Sequence, residues 1–444
     1  AHNFESPFSR EQVLEALQRR PVDEARLVSR DGAMQLEING KVQPFVIYKG
    51  MEPNARNGDQ AAFGQDGVNL TIVPIQLGQS RYSYVEHSEK PIWASDGKIN
   101  FDVVDEVLLK TLRRNPQAHL ILDMWVYPYL EWGEENPVEI VRNAAGEKGY
   151  GLWGNLEGYT RNLSEKNTTK NKAWWYPSYQ SEKWRHDSGA AVAAIAEHLK
   201  TSIYGKAVAG FFISGGHDGR FAAHFYDYSQ PSEASFRAWI LKKYGTVEKV
   251  AAVWKQPLTA PEQIKVPLFD SQKMESGTPY QGNGPLLDYR EFKEEGSWTL
   301  RDGYARAVKE AIGKPVVALS YNAPINRNFL RTQYLDASGD MSYYPYRNPG
   351  YALAWLPGDG YKYHRKMLLQ EFDLRSWVGG TYDEVYQMWI GAGLTPESWD
   401  NVHRKMIGAS LAQFLRHRRR EPHGQRPWVR IRLDEPGMAG GSLR

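Results

Sequence analysis

The chain has 444 residues, 41% hydrophobic and 13% aromatic, enough apolar material for one large core or two ordinary ones. Its net charge is only +3, and no apolar run approaches the roughly 18 residues a membrane span needs. There is no cysteine, which excludes disulfides and cysteine-ligated metal centres.

The chain starts "AHNFESPF", without Met, so either a signal peptide has been removed or the start is trimmed. A secreted or periplasmic location is expected ahead of a cytoplasmic one. A polar helix is predicted over about 9–19. "AMQLEINGKVQPFVIYKGM" then reads as a hairpin turning at Asn39-Gly40, a dipeptide that suits a type I′ turn. These residues, 1–43, form an N-terminal piece leading into the main domain.

From residue 44, short continuous apolar stretches recur: "PFVIYKGM" (44–51), "NLTIVPIQLG" (69–78), "HLILDMWVYP" (119–128), "AGFFISGGHDG" (209–219), "PVVALSYNAP" (315–324), "GDMSYYPYR" (339–347) and "MLLQEFD" (367–373). Unbroken apolar runs of this length are strands covered on both faces. Segments with apolar residues at i, i+3, i+4 and i+7 separate most of them, such as "FDVVDEVLLKTLRRNP" and "WTLRDGYARAVKEAIGK". Alternating strands and helices make a parallel sheet, and seven strands with an eighth expected point to an α/β fold of the (β/α)8 TIM-barrel type over 44–413. The rival, a doubly wound open sheet, is weakened because no Gly-rich phosphate loop follows the first strand.

A barrel gathers its functional groups where the strands end, at the C-terminal mouth. There the sequence places Lys49, Glu52, Asp123, Trp125, Tyr127, His217, Asp218, Tyr321, Asn322, Tyr343, Tyr344, Tyr346, Glu371, Asp373 and Arg375. A long polar and aromatic segment after strand three, 129–185, is expected to overhang this mouth. With Trp132, Trp153, Trp174 and Trp175 it supplies rings that can stack on flat apolar faces such as those of sugars. Ordinary core packing is the competing use of the same rings.

Two carboxyl groups at separate strand ends are what glycoside hydrolysis requires, one to protonate the leaving oxygen and one to attack the anomeric carbon or activate water. Glu371, ending strand seven, fits the nucleophile. Arg375 nearby would keep it ionised by charge pairing. A plain ion-pair cluster of Glu371, Asp373 and Arg375 is the alternative. Asp218, after the glycine turn that ends strand four, is the available acid, or else a cap on the next segment. His217, Asp123, Trp125, Tyr127, Tyr321, Asn322, Tyr343, Tyr344, Asp373 and Arg375 are the candidate substrate-binding groups. No His or carboxylate spacing resembles a metal-ligand set, and no cofactor is expected.

"SEASFRAWILKKYGTVEKVAAVWKQP" (232–257) resembles the segment following the acid/base in glycoside hydrolase family 42 β-galactosidases and their relatives. "QEFDLRSW" resembles the nucleophile region of relatives of that group. The resemblance runs over about 44–413. It implies a clan A retaining glycosidase acting on an oligo- or polysaccharide, β-galactosides being one candidate class, with the acid after strand four and a glutamate nucleophile after strand seven. The family's acid/base is a glutamate, usually after Asn; here the matching dipeptide is His217-Asp218, and Arg220 stands where some relatives carry Glu. Asp is one methylene shorter, so the carboxyl separation would lengthen. A catalytically impaired carbohydrate-binding barrel is the second reading this departure supports.

The last 31 residues, 414–444, hold eight Arg, no Lys and three acids, a net +5 that leaves the remainder of the chain at −2. A nucleic-acid arm is one reading, but without interleaved aromatics no nucleic-acid partner is expected, nor any membrane partner. Arg-dense text with scattered Pro and Gly is also what a GC-rich gene gives out of frame. The expectation is that the native eighth strand is missing or scrambled after Gln413; if native, the tail must supply that strand from "RPWVRIRL". The oligomeric state is left open.

Overall fold

The computed structural model describes residues 8–30, 33–44, 46–49, 57–78, 91–149, 175–215, 221, 226–269, 284–321, 327–341 and 358–371, with 381–383, 388–390 and the single residues 395, 397, 401 and 404. Its strands are β1 (Ala25–Arg30), β2 (Ala33–Ile38), β3 (Lys41–Val42), β4 (Ile47–Lys49), β5 (Leu70–Gln76), β6 (His119–Trp125), β7 (Val208–Ser214), β8 (Val317–Tyr321), β9 (Ala337–Met341), β10 (Met367–Glu371), β11 (Thr381–Asp383) and β12 (Met388–Ile390). The helices are α1 (Arg10–Arg19), α2 (Asn57–Gln65), α3 (Phe101–Leu112), α4 (Trp132–Glu135), α5 (Glu182–Thr201), α6 (Gln230–Tyr244), α7 (Val247–Trp254), α8 (Gly284–Ala311), α9 (Arg327–Arg331) and α10 (Gly358–Tyr363).

β4 to β10 form one seven-stranded sheet in which every neighbouring pair is parallel and chain order is spatial order. This is the strand order of a (β/α)8 barrel through its seventh strand, and each of the seven apolar runs read from the sequence overlaps one of its strands, the run at 339–347 only over 339–341. β11 and β12 make a separate antiparallel pair. The expected eighth strand and the 414–444 tail lie outside the described residues.

Alternate residues of the strands face two different cores. One phase, including Ile75, Leu122, Phe211, Ile213 and Ala318, packs with helix residues such as Val104, Leu108, Val192, Trp298 and Tyr304. The other, including Ile72, Ile121, Phe212, Leu319 and Met367, forms the inner core. A sheet buried on both faces has no polar alternation, which is why its strands read as continuous apolar runs.

The inner core is completed by Met34, Leu36 and Ile38 of the N-terminal sheet. That sheet sits at the strands' N-terminal ends: Val22 N donates to Lys206 O at 2.7 Å and Ala25 N to Pro315 O at 2.9 Å. Asn39 and Gly40 have φ of 48° and 76°, the paired positive values of a type I′ turn. The hairpin differs from the expectation in two ways. Its second arm is only two residues long, because Pro44 has no N–H to continue the ladder. It also has a third strand, β1, paired with β2 from Ala25↔Ile38 to Arg30↔Ala33; the exposed Arg26, Ser29 and Arg30 hide the strand pattern.

Local chemistry sets the helix ends. Ser9 and Gln12 form a reciprocal capping box on α1, and Ser181 Oγ accepts from Trp184 N at 2.9 Å to start α5. Within "KYGT", Gly245 ends α6 with φ +90° and Thr246 then caps α7. The stretch from Gln230 to Trp254 is therefore two helices and not one. Their apolar faces join the N-terminal half of α8 in a third core of Phe236, Ile240, Trp254, Tyr289 and Phe292. Buried Asp288 links it, accepting from Lys243 Nζ and Trp254 Nε1, each at 2.7 Å.

Candidate active site

Strand register brings together the residues at the mouth. Gln76, Trp125 and Ser214 are direct partners across β5, β6 and β7. Tyr321 pairs with Gly339, and Gly339 with Leu369. Glu371 pairs with Met341 as the last residue of β10, in the same alternation as Met367 and Leu369 of the inner core.

The described side chains form a polar layer above the apolar one. Asp123 is fully buried and accepts a short hydrogen bond from Ser214 Oγ. Gln76, equally buried, donates through Nε2 to Gly78 O at 2.8 Å. The Lys49 ammonium is hydrogen-bonded to the Tyr321 hydroxyl and lies 4.2 Å from the centroid of that ring and 5.6 Å from that of Phe212. Phe212 and Tyr321 meet edge to face at 4.8 Å. A cation between two ring faces is held by their quadrupoles as well as by the hydroxyl. Past the strand end, Tyr127 stands perpendicular to Trp125 at 6.0 Å. Both rings are almost wholly buried, and Trp125 Nε1 has no hydrogen-bond acceptor among the described residues.

Arg301 of α8 stabilises the frame from behind. It donates to Tyr321 O at 2.7 Å and to Phe221 O at 3.3 Å, so one guanidinium ties the end of β8 to the segment after β7. Its plane lies against Trp298 and Phe221, at 4.2 and 4.7 Å. Burial pushes its pKa down to about 9, which leaves it a cation at neutral pH.

Of the residues singled out in the sequence, Asp123, Trp125, Tyr127 and Tyr321 are thus gathered at one end of the sheet, and Glu371 ends the seventh of its strands. Asp218, His217, Asn322, Tyr343, Tyr344, Asp373 and Arg375 lie outside the described residues, as do Glu52, Trp153, Trp174 and Tyr346. Trp132 belongs elsewhere. It is 1% exposed, packed against Trp184 at 5.0 Å, and donates to Asp187 at 3.0 Å; it is a core residue and not a ring for stacking. Trp175 is partly exposed, with Lys148 Nζ 4.8 Å from its ring. Gln76, Ser214 and Phe212 were not singled out from the sequence. The available signal was the polar residue that ends each apolar run, as in "LTIVPIQ" and "VAGFFIS". Among the described residues no three His, Asp or Glu side chains are grouped to hold a metal ion, and no helix is long and apolar enough to cross a membrane.

Residues 161–350 match the family model of glycoside hydrolase family 42, described as β-galactosidase. The match includes β7 to β9 and the 232–257 segment, and ends before Glu371. No curated protein matches the chain. Among solved structures it is similar to the β-galactosidase of the psychrophilic Marinomonas ef1, with 17% identity over 67% of this chain and 40% of that one, at a TM-score of 0.44. The β-galactosidase of the Antarctic haloarchaeon Halorubrum lacusprofundi gives 15% identity over 71% and 42%, at 0.46. The catalytic domain of β-amylase from Paenibacillus polymyxa gives 13% over 68% and 76%, at 0.43. The chain spans less than half the length of these two β-galactosidases.

Proposed function

We propose that this chain is a glycoside hydrolase that cleaves β-glycosidic bonds through two carboxyl groups with retention of configuration, Glu371 being the nucleophile and Asp218 the acid/base. The observation that carries the reading is the position of Glu371: it is the last residue of the seventh parallel strand, in phase with the inner core. The family 42 match supports the substrate class and makes β-galactosides the first candidates.

In the first step the Glu371 carboxylate attacks the anomeric carbon while Asp218 protonates the departing oxygen. In the second, Asp218 takes a proton from water, which displaces Glu371 from the sugar. The part-buried Lys49 presents a cationic group to a sugar's hydroxyls, the buried Asp123 and Gln76 hold the strand ends beneath it, and the buried faces of Trp125 and Tyr127 exclude water from that end of the sheet.

Aryl β-galactosides and β-glucosides test this. Glu371→Gln is expected to lower turnover by at least about 10³-fold. With azide, Glu371→Ala should form the α-glycosyl azide and Asp218→Ala the β-glycosyl azide, because azide then enters from opposite faces. Full activity in Glu371→Gln, or an inverted product from the wild type, would sink the reading. If a broad panel of β-glycosides is left uncleaved while sugars still bind, the chain is the carbohydrate-binding barrel instead.

A further inference from the structure

The end of the sheet opposite the mouth holds a cavity of about 790 Å³, within the size range of small-molecule sites. It lies in the seam between the N-terminal sheet and the entries to β8, β9 and β10. The floor is apolar, with Leu27 and Met34 from the sheet and Val316 and Val317 from the barrel. The titratable lining is lopsided: Arg26, Lys309, Lys314, Lys362 and Arg365 against the single carboxylate Asp336.

Two of the five cations are already neutralised. Arg26 is bonded to Glu37 at 3.1 Å, and Lys309 to Asp336 at 2.6 Å. Asp336 also accepts from Ala318 N at 2.8 Å, so it has little charge left to repel an anion. Three cations remain. Lys314 spends two of its three donors on backbone carbonyls, Val22 O at 2.5 Å and Gly205 O at 2.9 Å. Lys362 and Arg365 have no ion-pair partner among the described residues. Between them Tyr363 is 85% exposed, an aromatic ring at the rim met edge to face by His364 at 5.1 Å.

The geometry points to a binding site for a small organic phosphomonoester at the N-terminal end of the barrel, its phosphate held by Lys314, Lys362 and Arg365 and its skeleton lying on Tyr363 and the Leu27–Val317 floor. Three cations suit a phosphate dianion better than a carboxylate, whose single charge one of them would neutralise, and the apolar floor gives a bare inorganic ion nothing to contact. The site is separate from the mouth and does not rest on the proposed hydrolase activity.

Calorimetric titration of the full chain tests it, with galactose 6-phosphate and adenosine monophosphate as the two phosphomonoesters and galactose and inorganic phosphate as controls. At least one ester should bind saturably with one-to-one stoichiometry, more tightly than inorganic phosphate, while galactose gives no heat; which ester binds identifies the skeleton. Lys362→Ala combined with Arg365→Asn should weaken that binding about tenfold or more. Asn is chosen because residue 365 has φ 54°, a conformation Asn tolerates. Lys362→Glu alone, at a half-buried position, is the second variant, and an unaltered melting temperature shows that either is folded. Absence of saturable binding, binding indifferent to both variants, or inorganic phosphate binding as tightly as the esters would overturn the proposal.

Discussion

Asp227 is buried at the joint between the segment after β6 and the third core. Its carboxylate accepts from Ser178 Oγ at 2.6 Å, from Ser229 N at 2.9 Å and from Arg142 N at 3.4 Å. Burial nonetheless raises its pKa, outweighing these hydrogen bonds. The folded state therefore holds a proton that the unfolded chain has lost once pH exceeds the ordinary carboxylate value. Stability is full below that value and falls as pH rises through the raised one. Asn at this position can still accept from both backbone N–H groups and carries no charge to desolvate. The melting temperature of Asp227→Asn minus that of the wild type is expected to grow between pH 4 and pH 8, and thermal scans at several pH values read it directly; a difference that shrinks over that range would contradict the assignment. At the same scale, Trp132 shows what residue type alone leaves undecided. A tryptophan serves a core and a sugar cleft equally well, and only its enclosure by Trp184 and Asp187 assigns it to the core.

At the scale of elements, the seven strands were legible because burial on both faces leaves a period-free apolar signature. The helix α3 and the C-terminal part of α8 were legible from their 3.6-residue period, and α1 as a polar helix. β1 was not, since Arg26, Ser29 and Arg30 interrupt its apolar alternation, and α2 was not, since "NGDQAAFGQ" has no apolar face to detect. The "KYGT" junction is where local chemistry alone decides an element boundary. At φ +90° an L side chain pays for its Cβ. Gly245→Ala is accordingly expected to destabilise the protein by about 1–2 kcal/mol, with the loss reported by urea unfolding. A fully neutral substitution would mean that α6 and α7 can join into one continuous helix. Thr246 caps the following helix in the same turn, so the tetrapeptide both stops one helix and starts the next.

For the whole molecule, the N-terminal sheet closes one end of the inner core and the polar layer lies at the other. Leu36, 6% exposed, packs in the same cluster as Ile72, Ile121 and Leu319 although about 35 to nearly 300 residues separate them in the chain. Leu36→Ala removes three carbons from a close-packed interior and should cost about 2–4 kcal/mol, measurable as a lower denaturation midpoint at unchanged slope. A cost below about 0.5 kcal/mol would show that the sheet is an appendage and not part of the barrel's core.

The sequence by itself determined the seven strands of the main sheet, their parallel α/β order, the type I′ turn and the place of Glu371 at the end of a strand. Each of these depends on periodicity or on the backbone preferences of a few adjacent residues, and such information is local. The tertiary structure alone decided which polar strand-end residues become neighbours, as with Lys49 beside Tyr321 and Asp123 beside Ser214. It also decided that Trp132 is core, that Arg301 braces two strand ends, and that Lys314, Lys362 and Arg365 border one cavity. Those pairings span up to 272 residues. They follow from strand register and sheet curvature, which no window of the sequence contains.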